Sequence, residues 1–169
     1  MRIIVSDSSC LIDLRKASLL DAFLKLPYEL TIPNTLFEDE LVRFTEEQKA
    51  TLVCGGLKVM DLSGESVLRA SQIARAFPHL SIHDGFAFAL AESSPGCILL
   101  TGDGRLREFG VKNRMEVHGV LWVIDEICAN GLASPEVLLA VLLGFSNDQT
   151  VRLPKRELAA YLKRYESYE

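Results

Sequence analysis

The sequence predicts an α/β fold: a three-layer sandwich built on a central parallel sheet, with further helices at its C-terminal end. Three observations predict it. The runs RIIV (residues 2–5) and CILL (residues 97–100) are short and almost wholly apolar, as strands buried on both faces are. Stretches of helical period separate these strand-like runs, which is the alternation that parallel sheets require. After Gly119 the pattern is helical only.

Taken in order, residues 2–5 form a buried strand that runs into the Ser6-Asp7-Ser8-Ser9 loop. Residues 11–26 are helical, with a break near residues 16–18. Residues 29–32 form a strand. Pro33 then suits a first helical turn, in a helix expected to run to about Phe44. Thr45 caps the next helix, with Gln48 three residues on, and Gly55-Gly56 stops it. Residues 57–62 (LKVMDL) are a strand. Ser63 or Gly64 starts a helix to about Phe77, and Pro78 breaks the pattern. Ser81 caps the helix IHDGFAFALAES. Ser94-Pro95-Gly96 is a turn before the CILL strand, and Thr101-Gly102-Asp103-Gly104 is a tight loop after it. Residues 105–109 are a short helix and residues 115–117 a last strand. Three helices follow. Gly131 and Gly144 are expected to end the first two, while Pro135 and Pro154 fall at helix starts. The expected division is an α/β domain over residues 1–118. A helical extension over 119–169 would pack on it or mediate oligomerisation.

The chain has 169 residues, 49% hydrophobic and 24% charged, which suits a globular core without disulfides and excludes extensive disorder. Lys and Arg number 18 against 23 Asp and Glu, a net charge of −5, which argues against passive coating of a polyanion. It does not argue against an enzyme that meets phosphate through a cation held by acids. The four cysteines, Cys10, Cys54, Cys97 and Cys128, form no CxxC pair and no zinc-ribbon spacing. No apolar run approaches the roughly 20 residues of a membrane span, and the N-terminus has no signal-peptide pattern. The expectation is a cytoplasmic protein with no membrane association.

Ligands of open parallel sheets bind beyond the carboxyl ends of the strands. Asp7 follows the first strand and Asp103 follows CILL by two residues. Asp84 lies in the first turn of the helix capped by Ser81. Glu40 lies on the helix after Pro33, beside Glu38 and Asp39. Each has an ordinary structural explanation. Asp7 suits a helix cap or turn, Asp84 a capping-box partner, Asp103 a turn between glycines, and Glu40 a solvated helix face. Four acids at one sheet edge would nevertheless repel one another unless a cation joined them, and Mg²⁺ or Mn²⁺ takes such oxygen ligands.

Four segments, in order over residues 1–118, resemble the motifs of PIN domains. These are IIVSDSSCLIDL, IPNTLFEDEL, LSIHDGFAFALAE and ILLTGDGRLRE. The resemblance implies a Mg²⁺- or Mn²⁺-dependent ribonuclease, as in the VapC-type toxins of bacterial toxin–antitoxin pairs. Its acidic quartet would be Asp7, Glu40, Asp84 and Asp103, for both metal binding and catalysis. Glu40 is chosen over Glu38 because it directly precedes Leu41. Ser9 and Thr101 match the small polar positions that support the site. The implied partners are an RNA substrate, an antitoxin protein and a second copy in a homodimer. Residues 119–169 depart from the compact toxins.

Other readings are weaker. A catalytically inactive PIN-like module that binds RNA or protein would not need all four acids. A receiver-like phosphoacceptor wants a Lys after its last strand, and none follows residues 115–117. A haloacid-dehalogenase-like phosphatase wants Asp-x-Asp, and Ser9 stands two past Asp7. His79 and His83 are four apart, but Pro78 and the Ser81 cap put His79 ahead of the helix. Arg105 and Arg107 suit a solvated face better than RNA contact. Lys155, Arg156, Lys163 and Arg164 make the last helix basic, for solvent, RNA or antitoxin.

Overall fold

The computed structural model describes residues 1–168. Five strands form one sheet: β1 (Ile3–Ser6), β2 (Glu29–Pro33), β3 (Lys58–Met60), β4 (Ile98–Leu100) and β5 (Glu116–His118). All pairings are parallel and the spatial order is β3-β2-β1-β4-β5. β1 is the central strand with β4 beside it, and Ile4, Val5, Ile98, Leu99 and Leu100 are fully buried. That is why their sequences are continuously apolar rather than alternating.

Helices flank the sheet. Between β1 and β2 lie α1 (Ser8–Lys16) and α2 (Leu20–Leu24), with Ser18 at φ 55 in the break between them. Between β2 and β3 lie α3 (Asn34–Asp39) and α4 (Glu46–Cys54); between β3 and β4, α5 (Gly64–Ala76) and α6 (Ile82–Glu92). Then come α7 (Gly104–Lys112), and after β5, α8 (Val120–Ala129), α9 (Pro135–Asn147) and α10 (Lys155–Glu166). Helix α6 packs on β1, β2 and β4, and α8 on α1, α2 and β5.

The capping chemistry is as read from the sequence at α4, α5 and α6. Thr45 with Gln48 and Ser81 with Asp84 form complete capping boxes, and Ser63 caps α5. Four helix ends differ from expectation. α1 begins at Ser8, three residues earlier than expected and inside the expected loop, because Asp7 caps it. α7 runs to Lys112, three residues past Phe109. α3 stops at Asp39, five residues short of Phe44. Leu41 and Phe44 remain buried, so a turn satisfies the apolar spacing that had suggested more helix. α9 continues through Gly144 to Asn147, because Leu142 and Phe145 on either side are both held in the core.

Residues of α8, α9 and α10 share a continuous core with the sheet. Val123, Ile124, Ile127, Leu138 and Leu142 are at most 0% exposed, in one cluster with Ile4 and Leu99. The four cysteines are unpaired. Among the described residues no helix is long and apolar enough to cross a membrane.

Candidate active site at the sheet switch point

From β1 the chain crosses to β2 on one side, while β4 pairs on the other. The carboxyl ends of β1 and β4 therefore border the crevice where connections diverge, the place where parallel sheets bind ligands. The backbone closes tightly there. Asp7 N–H donates to Leu100 O at 2.8 Å, and Thr101 N–H donates to His118 O at 2.9 Å.

Asp7 is the N-cap of α1 and is only 5% exposed. Its Oδ1 accepts from Ser8 N–H at 2.9 Å. Its Oδ2 accepts from Thr101 Oγ1 at 2.8 Å and from Ser9 Oγ at 3.0 Å. Burial nonetheless raises its pKa to about 6; the Thr101 and Ser9 hydroxyls oppose the rise, and the charges of Glu40 and Asp84 add to it. This carboxylate sits in a field of like charge.

Three further acids surround it. Glu40 Oε1 accepts from Ser8 Oγ at 2.8 Å, so adjacent serines tie Glu40 and Asp7 together. Glu38 is exposed, and Asp39 meets His83 at 3.2 Å. Asp103 is the N-cap of α7. Its Oδ1 takes Arg105 N–H and Leu106 N–H at 2.8 and 3.1 Å, and its own N–H donates to Thr101 Oγ1 at 3.0 Å. Asp84 Oδ2 accepts from Ser81 N–H at 2.8 Å. Burial raises the Asp84 pKa, the bonds from Ser81 oppose that, and the charge of Asp103 adds to it.

Asp7 caps a helix and Asp84 completes a capping box, as their ordinary explanations had it, whereas Asp103, expected in a turn, caps α7. Capping also aims them, since the starts of α1, α6 and α7 bring their carboxylates within range of one another's charge. Each cap uses part of a carboxylate. Asp84 Oδ1 and Asp103 Oδ2 accept no hydrogen bond from the described residues. Among the described residues no three His, Cys, Asp or Glu side chains are clustered as a ready-made metal cage. The donors are hard oxygens in an open crevice. That suits an ion such as Mg²⁺, which is held by one or two carboxylates and keeps its remaining positions for water and phosphate.

Ser9 and Thr101 hold Asp7 as expected, and Ser9 Oγ also accepts from Gly102 N–H at 2.8 Å. Sequence reasoning missed Ser8, whose link to Glu40 spans 32 residues. It also missed Asp13, which is 9% exposed near Gly102, with its pKa raised to about 6 by burial. An acid one turn and a half into α1, on its buried face, was the available signal. Arg164 is engaged by Asp125 at 2.6 Å, with Tyr165 Oη also donating to Asp125 at 2.8 Å, so it serves packing of α10 on α8.

No curated protein matches the chain. The chain does match a family described as a PIN domain, over residues 3–167. PIN domains are in general nucleases that typically use divalent metal ions. A match running from β1 to the end of α10, on a five-stranded parallel sheet with acids gathered at its switch point, makes this chain a member of the PIN-domain family.

Proposed function

We propose that the protein is a Mg²⁺- or Mn²⁺-dependent endoribonuclease. The observation that carries the reading is Asp7: a buried carboxylate, raised to about 6, beside Glu40 and Asp84. Burying a carboxylate among like charges costs stability, and a cation at the crevice would offset that cost. Asp7, Asp84 and Asp103 would hold the ion, with Glu40 holding metal or orienting a water. When bound, a divalent ion lowers the pKa of its water and neutralises charge on phosphate oxygens.

The chain's own residues do the rest. Thr101 and Ser9 fix the rotamer of Asp7 by donating to one oxygen. Ser8 holds Glu40 at the crevice, where its second oxygen can accept a proton from a water. The caps at α6 and α7 fix Asp84 and Asp103 while leaving one oxygen of each free.

The toxin role within a type II toxin–antitoxin pair, in the cytoplasm and with a homodimer as the working unit, belongs to the same proposal. It rests on the resemblance of residues 1–118. Residues 1–118 carry the acids, and 119–169 are the helical extension.

The test is cleavage of a mixed RNA pool by purified protein with Mn²⁺, with EDTA, and with Asp84→Asn. Cleavage only by the wild type and only with metal is expected. Cleavage that survives Asp84→Asn would remove the quartet. A folded, partner-free protein that cleaves nothing would favour the binding-module reading. For the toxin role, induced expression should arrest growth of a bacterial host, and Asp84→Asn should relieve the arrest.

A further inference from the structure

A groove of about 910 Å³ opens directly from Gly102-Asp103 and runs between α7, the β5–α8 junction and the segment that leads into α10. Three guanidinium groups line it: Arg105 and Arg107 from α7, and Arg152 from the chain between α9 and α10. None of the three forms an ion pair with a carboxylate of the described residues. Arg107 Nε is buried and has no hydrogen-bond partner there. Its guanidinium lies directly against Gly119, at the β5–α8 junction.

Arg152 also lines a second, smaller cavity of about 270 Å³ with Ser9, Asp13 and Gly102, so it stands where both cavities meet the acidic crevice. Val151, buried beside it, anchors this segment to the core. The groove's aromatic wall is His118 stacked on Trp122 at 4.4 Å and 9°, with Tyr161 of α10 facing the same space. Two acids share the groove. Glu108 is paired with Lys112 at 3.1 Å, while Glu157 lies in the first turn of α10.

Arg105 donates to His79 O at 3.4 Å, but none of the three guanidiniums has a carboxylate partner among the described residues and one has a buried unsatisfied N–H, which suits an anion with planar or tetrahedral oxygens. Aromatic surface alongside them suits an unstacked base or ribose. We infer that this groove binds the single-stranded RNA flanking the scissile phosphate, with Arg105, Arg107 and Arg152 on its phosphates. The C-terminal segment that extends the fold beyond the compact toxins thereby forms one wall of the substrate channel. The inference rests on the ribonuclease reading for the identity of the strand, but its binding step needs no metal.

The test is fluorescence anisotropy of a labelled single-stranded RNA of mixed sequence, titrated with the full chain in EDTA at several salt concentrations. Arg152→Ala and Arg107→Ala should each weaken binding several-fold and reduce the slope of log K against log salt by about 0.7. Arg107→Lys should recover part of the loss. Lys25→Ala, an exposed charge near the amino-end edge of the sheet, should change nothing. Thermal unfolding of each variant checks the fold, and exposed Arg152 carries the result if Arg107→Ala unfolds.

In parallel, Mn²⁺-dependent cleavage should show the loss in KM rather than kcat. Unchanged affinity and slope in both variants would overturn the groove, even if the wild type cleaves RNA. Arginine-dependent binding with no cleavage would uphold the groove and remove the nuclease reading. Unchanged RNA affinity with loss of a co-expressed protein partner would also overturn the inference, giving the groove to a protein.

Discussion

Asp7 spends folding free energy to be where it is. Its pKa stands near 6 in the fold against 3.8 for an unburied carboxylate, so the folded state binds more protons between those values. The sign follows from linkage: metal-free stability falls as pH rises from about 4 to about 6, then levels. That difference corresponds to a cost on the order of a few kcal/mol at neutral pH. Asp7→Asn should therefore raise metal-free stability at pH 7 and flatten that pH window, measured by urea denaturation in EDTA. Mn²⁺ should stabilise the wild type and leave Asp7→Asn unmoved. An Asp7→Asn protein less stable than wild type at pH 7 would show that the hydroxyl bonds outweigh burial. Its supports are testable at the same scale. Ser8→Ala frees Glu40 and Thr101→Val removes one bond to Asp7, and each should lower metal affinity or cleavage about 10- to 100-fold. Asp7, Asp84 and Asp103 were legible in the sequence because helix-capping positions follow local rules. Ser8 and Arg152 were not, since each acts through contacts between segments far apart in the chain.

At the scale of elements, two glycines inside helices make opposite predictions for the same change. Gly85 follows Asp84 on α6, where a Cβ would stand 2.8 Å from Ala70 O and 3.1 Å from Ala70 Cα on α5. Ala has the higher helix propensity by about 1 kcal/mol, but overpacking against backbone costs about 1–3 kcal/mol. The clash should win, so Gly85→Ala should destabilise the fold and, by shifting the start of α6, reduce cleavage. Gly144 on α9 is exposed and a Cβ there meets nothing within 4 Å. Gly144→Ala should stabilise by up to about 1 kcal/mol with cleavage unchanged. Thermal melts of the two variants decide both signs. Gly144 is also where sequence reasoning ended α9 too soon. Glycine commonly stops a helix, but here the buried Leu142 and Phe145 keep the helix on the core across it. α3 shows the converse, with helical spacing of Leu41 and Phe44 satisfied by a turn. Strand identities were easier, because residues such as those of β1 and β4 can be continuously apolar in a short run only when buried on both faces.

For the whole molecule, the question is whether the C-terminal helices fold with the sheet or apart from it. Leu142 of α9 and Leu99 of β4 are both fully buried in one continuous apolar cluster, which also holds Val123, Ile124 and Ile127 of α8. α8 is wedged against α1 and α2 as well as β5, so no unpacked seam separates it from the sheet. Such a core should unfold in one cooperative step. Trp122, the single tryptophan, reports on this directly, because it stacks on His118 of β5 and lies 5.8 Å from Tyr28, just before β2. Its fluorescence should change in the same denaturant range as the far-ultraviolet circular dichroism. Leu142→Ala should cost about 2–5 kcal/mol and shift both signals together, as Leu99→Ala should. Two separated transitions in Leu142→Ala, with the tryptophan moving first, would mean that the tail docks as an independent unit. In that case the groove walled by Arg152 and Tyr161 could open without loss of the acidic site. A single transition instead ties the two together, so that any change loosening α9 would weaken RNA binding and metal binding at once.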